Sequence, residues 1–98
     1  MTPAAPRTLV LPASLVVGQL ASFKALLVDG LRVDGPAWLD GAAVTEVDTA
    51  GVQLLVAFVR DARAAGREVV WVQPAPAVTA LARTLGLSGA LAAEGGAS

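Results

Sequence analysis

The sequence predicts a small α/β fold: a mixed, mostly parallel sheet of about four strands with helices between them. Three observations predict it. Short apolar or β-branched runs (Arg7–Leu11, Ala37–Asp40, Glu68–Val72) alternate with longer segments whose apolar residues recur at helical spacing. Proline and glycine punctuate the runs, at Pro12, Gly35-Pro36, Gly66 and Pro74. Strand–helix alternation of this kind argues for parallel strands joined by right-handed crossovers. With 98 residues, 55% of them apolar, the chain can fill one core without disulfide staples.

Met1–Pro6 carries two prolines and reads as a flexible leader. Arg7–Leu11 is a first strand that Pro12 ends, and Ala13–Val16 leads into a helix from about Val17 to about Leu31. Its inward stripe is Leu20, Phe23, Leu27 and either Lys24 or Leu31, with Leu26 alongside; Asp29 and Gly30 weaken its end. Asp34-Gly35-Pro36 is a turn signal, and Ala37–Asp40 a short second strand. Gly41–Val44 follows, with Val44 and Val47 as core residues.

Thr49–Ala65 is the clearest helix. Apolar residues recur at Val52, Leu55, Val56 and Val59, and again at Leu54, Phe58 and Ala62. Gly66 sits where a left-handed C′ residue belongs, and Arg60, Arg63 and Arg67 complement the negative end of the helix dipole. Glu68–Val72 is a third strand, stopped by Pro74. Pro76 suits the first position of a third helix running to Leu85, with Val78, Leu81, Ala82 and Leu85 inward. Gly86 is its C′ residue and Leu87 packs back. Leu87–Leu91 is expected to add a short last strand. The domain is then residues 7–91, between the leader 1–6 and a flexible tail 92–98.

Composition removes several function classes. Seven Lys plus Arg stand against eight Asp plus Glu, a net charge of −1, and the arginines form no patch. Nucleic-acid binding through phosphate neutralisation is therefore not expected. The absence of Cys and His takes away thiol nucleophiles, imidazole bases and nearly all transition-metal sites. The sequence holds no secretory h-region, and its longest apolar run, Leu54–Val59, stops at Arg60, far short of the ~20 residues of a membrane span. These features predict a cytoplasmic protein without direct membrane insertion. No dinucleotide fingerprint, P-loop, nucleophile elbow or zinc-protease motif is present, and no cofactor is expected.

What stands out is Val44–Leu55, where an apolar run ends in Asp48-Thr49-Ala50-Gly51 and a helix starts at once. Thr49 is thereby set at the positive end of a helix dipole, a place suited to an anionic group. Two readings are open. The Thr49 hydroxyl, or Asp48 in its stead, can cap the helix by accepting an N–H from Gly51 or Val52. Compatibly with this, since a capping hydroxyl is also exposed, Thr49 can be a switch: a phosphate adds about −1.5 to −2 charges, repelled by Asp48 and attracted by the helix start. A partner-binding edge would comprise Thr49, Val52, Gln53, Val56 and Arg60, unless both valines belong to the core. Asp40 and Asp48 both lie near strand ends, where α/β folds place ligand sites. The pair invites an acid–base or metal reading, yet two carboxylates without further acids, His or a glycine-rich phosphate loop make a poor enzyme. Trp38 and Trp71 fall in strands and read as core, unless a thinly covered sheet face exposes them.

Val47-Asp48-Thr49-Ala50-Gly51-Val52-Gln53-Leu54-Leu55 resembles the signature turn of the STAS domain family, which includes anti-sigma factor antagonists and regulatory domains of sulfate transporters. The Leu9-Val10-Leu11-Pro12 opening, Trp38-Leu39-Asp40-Gly41, and Arg67–Val72 before a short helix ending Leu85-Gly86-Leu87 extend the resemblance over roughly residues 7–91. It implies a small sheet with helices packed on one side. It also implies a non-catalytic protein-binding role. In regulatory members the hydroxyl after the Asp, here Thr49, is phosphorylated by a Ser/Thr kinase that also acts as anti-sigma factor; phosphorylation breaks the complex. Here threonine stands for the usual serine and Ala50 for a second small hydroxyl residue. The same pattern is similar to the STAS subunit of the Mla phospholipid-transport ABC system, in which the threonine contacts the ATPase, and to STAS proteins linked to chemotaxis. By this resemblance the contact set is Asp48, Thr49, Ala50, Gly51, Val52, Gln53, Val56 and Arg60. Asp48 would shape the turn and Gly51 would allow close approach. A nucleotide ligand occurs in the family, but no phosphate-cradling loop is present in this chain.

Overall fold

The computed structural model describes residues 8–31 and 35–91, and among these residues there are five short strands and four α-helices. The leader 1–6, Arg7, the first residue of the Asp34 turn signal and the tail 92–98 lie outside the described residues. In chain order the elements are β1 (Thr8–Val10), β2 (Ser14–Leu15), a 3-10 turn (Val17–Gln19) running into α1 (Leu20–Leu31), β3 (Ala37–Asp40) and β4 (Glu46–Val47). Then come α2 (Thr49–Ala64), β5 (Val69–Gln73), α3 (Pro76–Thr84) and α4 (Ser88–Leu91).

Every strand pair among the described residues is parallel. One sheet has the order β1-β3-β5, and a second pairs β2 with β4. The two are halves of one interrupted ribbon. Leu11 N–H donates to Asp40 O (2.8 Å), continuing the β1–β3 ladder; beyond the break, Thr45 N–H donates to Ala13 O (2.8 Å) and Asp48 N–H to Leu15 O (3.2 Å). Pro12, which has no N–H, breaks one side, and the detour Gly41–Thr45 breaks the other. The sequence reading passed over β2 and β4 because two residues show no periodicity.

Parallel strands set in the order β1-β3-β5 advance in one direction across the sheet. Right-handed crossovers then place α1 and α2 side by side on the same face. Leu9, Leu39 and Trp71 share a register row and point toward those helices. The alternate residues, Val10 and Val72 among them, are exposed on the other face, and Trp38 there is half-buried. The core is one cluster in which Leu11, Leu15, Leu39, Val52, Leu55, Val59, Val78 and Leu91 are sealed from solvent.

The helix stops predicted at Gly66 and Gly86 are both Schellman motifs. Gly66 (φ 80°) and Gly86 (φ 74°) adopt the left-handed conformation. Arg67 N–H bonds Ala62 O (2.9 Å) and Leu87 N–H bonds Ala82 O (2.8 Å). Arg67 then donates to Gly30 O and Gly35 O, both at 2.7 Å, tying the end of α1 to the entry of β3.

Three expectations need correction. Residues 88–91 form helix α4, not a strand: the Schellman turn redirects the chain so that Leu91 enters the core and its carbonyl accepts the Trp71 Nε1–H at 2.9 Å. Leu85 follows α3 as its C-cap and is 38% exposed instead of facing inward. On α1 Phe23, Leu27 and Gly30 are buried and Leu20 and Leu31 pack half-buried against the core as expected, so Leu31 and not Lys24 completes the stripe, while Leu26 is turned outward.

Candidate functional site

The turn between β4 and α2 is organised by Asp48. Its Oδ1 accepts the Gly51 N–H at 2.9 Å, which makes Asp48 the N-cap of α2. Its Oδ2 accepts the Val17 N–H, also at 2.9 Å, where the 3-10 turn before α1 begins. One carboxylate therefore caps two helix starts that lie 31 residues apart in sequence. These hydrogen bonds, that from Val17 first and that from Gly51 next, favour the ionised form and hold the Asp48 carboxyl below its ordinary pKa.

Thr49, given above as a candidate cap, is instead the first residue of α2, exposed and outside the capping hydrogen bonds. Gly51 is buried, and its close approach is internal: a Cβ there would collide with the carbonyl oxygen of Leu15. Val52 is fully buried in the core and cannot belong to a contact edge. The edge that remains runs from Thr49 along one face of α2: Gln53 is exposed, Ala50 and Val56 are half-buried, and Arg60 is 74% exposed. Arg60 lies 4.0 Å from Asp61, a surface pair of little energetic weight. Asp40 serves its own turn by accepting the Ala42 N–H at 2.9 Å. The two aspartates thus close separate turns.

The structure adds residues that sequence reasoning missed. Val17, whose amide Asp48 holds, is 71% exposed, more than any other large apolar side chain described. Leu20, Ala21 and Lys24 of α1 face Ala50, Gln53, Leu54 and Ala57 of α2 across an open channel of about 400 Å³. A valine left outside the helical stripe was the available signal for Val17. Nothing in the spacing announces the α1 wall, because it depends on the two crossovers lying side by side. No helix among the described residues is long and apolar enough to cross a membrane.

The chain was compared with known proteins. No curated protein and no solved structure matches it. The family model described as "Mlab, STAS domain" matches residues 3–93. That match runs through β1 to α4 and takes in the Asp48 turn, and it makes this protein a member of the STAS domain family.

Proposed function

We propose that the protein is a non-catalytic docking module that binds another protein through Thr49 and the open edge of α2. The observation that carries this is the division of labour at the turn. Asp48 does the capping, so the Thr49 hydroxyl is left exposed at the helix start with no structural task. Gln53, Val56 and Arg60 continue the same edge, and Ala50 flanks it.

Two partner classes suit such a surface. The description of the matching family favours the ATPase of an Mla-type phospholipid-transport ABC system. On this reading Thr49 is a contact residue and needs no modification. Electrostatics points the same way. The Val17 and Gly51 N–H groups that would welcome a phosphate are already taken by the Asp48 carboxylate. A phosphate on Thr49 meets that negative charge first. The second class is a Ser/Thr kinase of the anti-sigma type, or a chemotaxis-linked partner, for which Thr49 is the switch. What supports it is the exposure of Thr49 at a helix N-terminus.

Affinity capture from native lysate, read by mass spectrometry with a search for phosphate on Thr49, separates the two. An ABC ATPase captured with unmodified Thr49 supports the transporter role. A Ser/Thr kinase captured by the unmodified chain, with Thr49 phosphate found on the chain that is free of the kinase, supports the switch and overturns the transporter role.

A further inference from the structure

The α1–α2 channel adjoins the Thr49 edge but lies on the other side of Ala50 and Gln53, which line it. Its apolar lining is Leu20 and Ala21 on one side and Ala50, Leu54 and Ala57 on the other, with Leu20 and Leu54 half-buried. The helices run side by side in the same direction, so the space between them is an elongated furrow. The helix starts therefore lie together at one end of the furrow, and Asp48 holds that end by accepting the Val17 and Gly51 N–H groups. That end of the furrow is therefore held in place before a partner settles in it, which lowers the ordering cost of binding.

Charge says what settles there. Lys24 lies on the rim, exposed, with no carboxylate partner among the described residues. No acidic residue is among those lining the channel. A cation beside an apolar furrow selects a segment with an apolar ridge and a carboxylate beside it.

We propose that this furrow seats a single amphipathic helix of the protein partner, its small apolar ridge between α1 and α2 and an Asp or Glu opposite Lys24. A third helix laid into the groove of two others buries apolar area as helix packing does. The proposal rests on the reading that the Thr49 face binds a protein, and it extends that face to α1.

The test places the photo-crosslinker p-benzoylphenylalanine at Ala21, on the furrow wall, and in a separate protein at Thr49, in cells that carry the native partner. The expected result is the same polypeptide crosslinked from both positions. The Ala21 product should map to an amphipathic helical segment that contains Asp or Glu. Lys24→Glu should lower the Ala21 crosslink about tenfold or more, while Lys24→Arg retains it. Lys24 is exposed, so both variants should keep the wild-type Tm, which checks that folding is not the cause. A crosslink from Thr49 with none from Ala21 overturns the furrow proposal and leaves the Thr49 reading standing. Silence at both positions overturns both. A product joining two copies of this chain, a crosslinked segment without a carboxylate, or an Ala21 crosslink indifferent to Lys24→Glu also overturns the furrow proposal.

Discussion

Asp48 carries more of the site than its neighbours do, because one side chain satisfies backbone donors from two elements. Its pKa is depressed in the folded state, chiefly by the Val17 and Gly51 N–H groups. The sign of the pH effect follows: its contribution to stability is full above the unfolded-state pKa of about 4 and is lost as pH falls through the lower folded value. Thermal melts of wild type and Asp48→Asn between about pH 2 and pH 6 should show the widest gap at the upper end, closing toward the lower. Gly51 shows a second residue-scale constraint. Gly51→Ala forces a methyl against the Leu15 carbonyl and should destabilise by about 1–3 kcal/mol in urea unfolding. The pairing of Asp48 with Val17 was not legible in the sequence. Spacing left open whether Thr49 or Asp48 caps α2, and it does not show that the Asp48 carboxylate reaches a second helix start 31 residues away.

At the scale of elements, sequence reading succeeded where a residue's physics is local. Pro76 opens α3, Gly66 and Gly86 end helices by adopting positive φ, and Ala37–Asp40 forms the strand read from it. It failed where tertiary contact decides. The segment after Gly86 is helical because Leu91 can then reach the core and meet the Trp71 Nε1–H. The wide apolar arc of α2 could not show which valine faced out; burial assigns Val52 to the core and leaves Val56 at the border. Gly86→Ala tests the element-level account. A Cβ there meets no neighbour, so the expected cost of about 1–2 kcal/mol is purely that of a left-handed backbone. A loss of that size in chemical denaturation, without a change in m-value, is the expected outcome.

On the scale of the whole molecule, a parallel ribbon whose helices share one face sets two helix starts side by side, and the Asp48 turn joins them. The fold class and the family were legible because strand–helix alternation and the turn motif are written in short stretches. The proposed contact surface was legible only in part: Thr49, Gln53 and Arg60 are exposed, Val52 and Gly51 are buried, and the α1 wall was not foreseen. The central claim is that a protein partner binds the Thr49 edge of α2. The most direct measurement compares two identical chemical changes on different elements, Thr49→Glu on α2 and Thr84→Glu at the end of α3, both at exposed positions. Both variants should fold, since an exposed substitution of this kind shifts stability by about 0.5–1 kcal/mol. In quantitative capture from native lysate, Thr84→Glu should retain the wild-type partner and Thr49→Glu should lose it. Equal retention by both variants, or loss by Thr84→Glu alone, would contradict the account.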